Sequence, residues 1–184
     1  MARLPDCELW DFSLAVYGRE GVAPACLALQ ARHGADVNLL LFCCWCATSG
    51  RGALKDEGLA GARAAVTGWH EGVVRGLRLV RMRLKREPGP GSPEQADDLR
   101  KRVQALELEA EHVEQLALFG LAPPARDEGI PLAKRAAQAA EGARSYLLTL
   151  GAKLDAEDRA NLAALLAGCF PDLAPCEVRR LVKA

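Results

Sequence analysis

Asp36-Val37-Asn38-Leu39-Leu40-Leu41-Phe42-Cys43-Cys44-Trp45-Cys46-Ala47-Thr48 is the stretch that decides the fold. Apolar residues cover this segment on every side of a helix, which a surface helix cannot tolerate. It is too short to cross a bilayer, which takes roughly 20 apolar residues. The segment at about 36–48 is therefore predicted to be the central, enclosed helix. Asp36 is a good N-cap, and Gly34 stops the preceding helix only two residues earlier, so the two helices meet in a tight corner.

Outward from this segment, helical spacing with start and stop signals recurs, and alternating strand patterns are hard to find. A first helix covers about 8–17, ended by Gly18 and Gly21, and a second begins near Val22 with Pro24 in its opening turn. After the break at Thr48-Ser49-Gly50-Arg51-Gly52, a long helix covers about 55–86, roughly 48 Å at 1.5 Å per residue. Leu59, Ala62, Val66, Trp69, Val73, Leu77, Val80 and Leu84 recur along it in steps of three and four, predicting one stripe turned to the core. Gly61, Ala65, Gly68, Gly72 and Gly76 recur likewise. Glycine costs about 1 kcal/mol against alanine inside a helix, so this groove predicts close approach by another helix or by a flat ligand.

The loop Glu87-Pro88-Gly89-Pro90-Gly91-Ser92-Pro93 turns the chain, and Ser92 can cap a helix over about 93–119 with the stripe Leu99, Val103, Leu106, Ala110, Val113 and Ala117. The two long helices then form an antiparallel hairpin over about 55–119. Residues 119–130, with Pro123-Pro124, read as a linker. Helices at about 131–150, 155–170 and 175–182 complete the bundle. The expectation is an all-α, irregular or orthogonal helical bundle forming a single domain over 1–184.

Composition removes several function classes. The 24 Lys and Arg balance 24 Asp and Glu, so no overall positive field exists to hold nucleic acid, and a nucleic-acid partner is not expected. Seven cysteines without regular spacing fit reduced thiols rather than a secreted disulfide framework. The first eight residues, with Arg3, Pro5, Asp6 and Glu8, lack the apolar run of a signal peptide, so a cytoplasmic location without a membrane span is expected. The hydrolase elbow, the phosphate-cradling loop, the His-Glu-x-x-His motif and the dinucleotide fingerprint are all missing, which weakens an enzymatic reading.

Four clusters remain. Cys43 and Cys46 form a Cys-x-x-Cys on one side of the central helix; without a second pair of ligands, core filling is the better reading. Glu109 and His112 form one Glu-x-x-His, used twice in di-iron bundles, but on a side expected to be solvated. Arg75, Arg78, Arg81 and Arg102 gather positive charge opposite the apolar stripe, and replacing the first three with alanine is expected to leave folding intact. Trp10, Asp11, Tyr17, His33 and Asn38 flank the central helix. Asn38 there needs hydrogen-bond partners, for which Asp11 or Ser13 are candidates. No metal ligands are assigned and no cofactor is expected.

Trp10-Asp11-Phe12-Ser13-Leu14-Ala15, Ala25-Cys26-Leu27-Ala28-Leu29-Gln30 and Asp36-Val37-Asn38-Leu39-Leu40-Leu41-Phe42, with Trp69, Val73, Val74, Leu77, Arg78, Arg81, Leu84 and Lys85, resemble a family of small proteobacterial proteins. That family is catalogued as a domain of unknown function, and the likeness covers about 9–120. It implies a bacterial cytosolic domain and carries no assigned catalytic residues. The sequence thus points to a non-enzymatic binding or adaptor protein that docks an acidic or phosphate-bearing partner, most simply a protein, on Arg75, Arg78, Arg81 and Arg102. The alternative is a small-molecule site or enzyme pocket at the junction of helices one to three, or along the glycine groove.

Overall fold

Asp36 adopts extended backbone and its Oδ1 accepts a hydrogen bond from the Asn38 amide at 2.8 Å, so helix α3 (Val37–Thr48) starts where a capping carboxylate satisfies its first turn. In the computed structural model, which describes residues 4–87, 89–125 and 129–183, the chain is helical with no strand among those residues. Residues 1–3, 88, 126–128 and 184, which include parts of the predicted loop and linker, lie outside the described part.

Around α3 are α1 (Glu8–Tyr17), α2 (Val22–His33), α6 (Pro93–Gly120), α7 (Leu132–Thr149) and α8 (Ala156–Cys169), each packed against it. Every residue of 38–47 is buried, and Leu40, Phe42, Cys43, Cys44, Cys46 and Ala47 are fully so. The hydrophobic core gathers Leu9, Leu29, Phe42, Leu59, Leu118, Leu147 and Leu166, and reaches Val178 of the last helix, α9 (Pro175–Leu181). The bundle about an enclosed central helix is as predicted. No helix among the described residues is long and apolar enough to cross a membrane.

Two stripes run differently from the sequence reading. The long helix divides into α4 (Asp56–Trp69), a π-helical turn (His70–Val74) and α5 (Arg75–Arg86), and the Arg75 amide donates to the His70 carbonyl five residues back. One extra residue in a turn rotates everything beyond it by about 100°. Leu59, Ala62 and Val66 face the core as predicted; at the π turn His70 and Val74 turn inward, leaving Trp69 exposed and Val73 half-buried. Beyond it α5 buries no residue, and Val80 is exposed, so this end of the hairpin leaves the core rather than lining it. Helix α6 is capped by Ser92 in a reciprocal capping box with Gln95, but its buried face carries Ala96, Val103, Glu107, Ala110, Glu114, Gln115 and Leu118. Leu99, Leu106 and Ala117 of the predicted stripe are exposed. At 100° per residue the true face is turned by roughly 60°, because Arg side chains of α5 and His70 supply partners for glutamates there.

The glycine groove is also not what its spacing suggests. A methyl group on Gly61, Gly68, Gly72 or Gly76 would meet nothing within 4 Å, so no helix lies in it. Close approach occurs at Gly142, where a Cβ would lie 3.2 Å from the Leu54 carbonyl, and at Gly168, where it would overlap Val22. Those two glycines set how closely α7 meets α3 and α8 meets α2. The second contact is also fastened by Asp158, which is fully buried and accepts from Arg32 Nε at 2.9 Å, with its Oδ1 2.8 Å from His33 Nε2. Burial opposes ionisation of Asp158, yet the bonds from His33 and the Asp155 backbone hold its pKa below the ordinary carboxylate value.

Alanine substitution should therefore act with opposite sign at the two kinds of glycine. Gly61→Ala and Gly68→Ala are expected to stabilise by up to about 1 kcal/mol each in thermal or urea unfolding. Gly168→Ala is expected to destabilise by about 1–3 kcal/mol through overpacking.

Candidate functional site

Three elements converge on the first turn of α3. Asp36 is 5% exposed; its backbone amide donates to the Tyr146 hydroxyl at 2.8 Å, its Oδ1 is used in capping, and its Oδ2 accepts no hydrogen bond. From the π turn comes His70, buried, with Nδ1 3.3 Å from Asp36 Oδ2 and 3.2 Å from Glu114 Oε2. From α6 comes Glu114, 1% exposed, whose Oε1 has no partner. A single ring nitrogen faces two carboxylates and cannot satisfy both. Next to them, Gln115 donates from Nε2 to Asn38 Oδ1 at 2.7 Å and leaves its own Oε1 unpartnered.

With both carboxyls ionised, acceptors outnumber donors in this buried place, which costs free energy at each unmet oxygen. Burial pushes the Asp36 carboxyl well above its usual range; Glu114 beside it adds to the shift and His70 opposes it. Burial likewise raises Glu114, with the neighbouring Asp36 and Asn38 side chains working against it. Among the described residues, Asp36, His70 and Glu114 form the one group of three His, Cys, Asp or Glu side chains whose donor atoms all lie within 4.8 Å of one another.

On the outer side of this centre, the arginines are spoken for. Arg78 donates from Nε to Glu107 Oε1 at 2.8 Å and from Nη2 to Glu111 Oε1 at 2.7 Å; Arg81 donates to both oxygens of Glu107. Burial works against the Glu107 anion, but the bonds from Arg81 and Arg78 outweigh it and lower its pKa. Arg75 pairs with exposed Glu71 at 2.5 Å, and Arg102 is exposed. The predicted concentration of unpaired positive charge at Arg78 and Arg81 is therefore absent. Glu107, Glu111 and Glu114 repeat at steps of four and three, so one face of α6 carries acid from the arginines inward to His70.

Of the alternative residues, Asn38 lies in the centre, although its partner is Gln115 rather than Asp11 or Ser13. Trp10 stacks on His112 with ring centroids 4.5 Å apart and planes within 4°, so His112 is covered by an indole rather than solvated. Tyr17 is half-buried, its pKa raised by burial and then by Cys26 and Glu111; Asp11 is exposed. His33 belongs to the α2 and α8 contact through Asp158 and does not join the others. The cysteines are free; all but Cys176 are buried. Burial pushes Cys46 up to about 12 and Cys43 well above a normal thiol. Sequence reasoning missed His70, Glu107, Glu111, Glu114 and Gln115. The one signal for them was the i, i+4, i+7 glutamate series opposite arginines at 78 and 81.

Fold and site together define an all-helical protein organised about a buried centre of carboxylates and an imidazole. Residues 8–118 match the family described as Protein of unknown function (DUF2390), and the chain belongs to that family. The match spans α1 to α6 and so includes Asp36, Asn38, His70, Glu111, Glu114 and Gln115. No curated protein and no solved structure matches the chain.

Glu107 is only 5% exposed, so removing its arginines leaves a buried carboxylate without partners. Replacing both Arg78 and Arg81 with alanine is expected to cost about 3 kcal/mol in urea unfolding, whereas Arg75→Ala at the exposed pair costs less than about 1 kcal/mol. Adding Glu107→Gln to the double variant should recover part of the loss.

Proposed function

We propose that the protein binds a small ligand, cationic or rich in hydrogen-bond donors, at the polar centre formed by Asp36, Asn38, His70, Glu114 and Gln115. The observation that carries this reading is the set of buried oxygens, Asp36 Oδ2, Glu114 Oε1 and Gln115 Oε1, that accept nothing from the protein. Native folds leave few such atoms, and convergence of several at one place is the pattern of a site rather than of a core. The π turn supports it too, because such turns occur where a functional side chain must be re-aimed. A groove of about 790 Å³ between α8 and α9 is lined by five alanines, Pro175, Val178 and Val182, together with Arg159, Arg179 and Lys183. It lies outside the family segment and lacks converging buried polar groups.

A second reading keeps the docking of an acidic or phosphate-bearing protein on the hairpin, with a different set of contacts. Arg75, Leu79, Met82 and Arg86 follow one face of α5 and are all exposed, Leu79 at 65%. Arg102 of α6 is exposed as well, so Arg75, Arg86 and Arg102 are more open to a partner than Arg78 and Arg81.

The ligand-site reading is tested by thermal shift against two panels, divalent metal ions and small organic ammonium and guanidinium cations. A specific ligand raises Tm by mass action, and members of at least one panel should do so for the wild type but not for Asp36→Asn/Glu114→Gln. No shift from either panel contradicts it.

A further inference from the structure

We propose that Asp36, His70 and Glu114 coordinate a divalent first-row transition-metal ion, an assignment that rests on the polar centre being a ligand site and names its ligand. His70 Nδ1 stands 3.2 Å from a Glu114 oxygen and 3.3 Å from an Asp36 oxygen, and all three donor atoms fall within 4.8 Å of one another. Metal to nitrogen or oxygen bonds of about 2.0–2.2 Å put neighbouring ligands roughly 3.0–3.5 Å apart in tetrahedral or octahedral shells. The two imidazole to carboxylate edges already have that length without any metal to draw them together.

Charge and donor type narrow the ion. Two carboxylates together carry the charge that a dication balances. Calcium and magnesium favour all-oxygen shells, and thiolate sites select softer ions. The group offers one nitrogen and two oxygens, a donor set suited to zinc, iron, cobalt or manganese.

Support around the ligands is also in place. The Asn38 amide fixes Asp36 Oδ1, and the Asp36 amide is fixed by Tyr146, so the carboxylate presents its free Oδ2 to His70. Asp36 and Glu114 are more than nine-tenths buried, and each retains an oxygen with no hydrogen-bond partner.

The test uses full-length protein treated with chelator and titrated with zinc and cobalt by calorimetry, with visible absorption reporting cobalt coordination. One equivalent should bind with cobalt d–d bands, and Glu114→Gln, Asp36→Asn and His70→Asn should each weaken binding by at least about 100-fold. Glu114→Gln is nearly isosteric and removes a buried charge, so it should fold and melt no lower than metal-free wild type. Glu109→Gln and His112→Gln, which alter the other Glu and His pair on α6, should leave the affinity unchanged. Wild-type affinity in folded Glu114→Gln, or no binding below millimolar in the wild type, overturns the assignment. In the latter case a thermal shift from an organic cation keeps the ligand-site reading, and its absence removes both.

Discussion

Helix α3 must find a partner for every side chain it carries, and the rest of the molecule is arranged by that demand. Ten consecutive buried residues leave no face for water, so helices from both ends of the chain are needed to cover it. Burying such a segment is favourable at about 25 cal/mol per Å² of apolar surface. The same enclosure makes its first turn costly, since Asp36 and Asn38 are taken from water along with the leucines that follow.

That cost is met from two directions, and the meeting point is the site. Helix α6 brings Gln115 to Asn38 and Glu114 toward Asp36, while the π turn swings His70 inward between the carboxylates. Without the extra residue of the turn, the phase running through Leu59, Ala62 and Val66 would carry Val73 inward. The centre is therefore tied to backbone geometry as well as to side-chain chemistry. Its outer wall is electrostatic: Arg78 and Arg81 neutralise Glu107 and Glu111, so the arginines that look like a docking face in one dimension serve α6 in three.

Much of the fold was legible because its signals are local. Gly34, Asp36, Ser92 and Asp155 bound helices where capping chemistry says they should, and the all-round apolarity of 38–47 placed α3 at the centre. Less of the site could be seen. Periodicity at 100° per residue assumes an unbroken helix, so the five-residue π turn was invisible and Trp69 took the place of His70 in the stripe. Hydrophobicity also turns glutamates outward, yet Glu107 and Glu114 are buried because partners 29 and 44 residues away in sequence reach them. Asn38 was singled out correctly as a buried amide in need of partners, but nothing local pointed to Gln115. The helical glycines misled for the opposite reason: their spacing was regular, whereas the glycines that matter, Gly142 and Gly168, are isolated.

Native-state amide hydrogen exchange along α3 is the most direct measurement of whether this helix is walled in. Enclosure on all sides predicts that the amides of residues 41–47 exchange only through global unfolding, with free energies equal to that from urea denaturation. Exchange of those amides through an opening several kcal/mol below the global value would show that a face of α3 is accessible and would contradict the architecture on which the site depends.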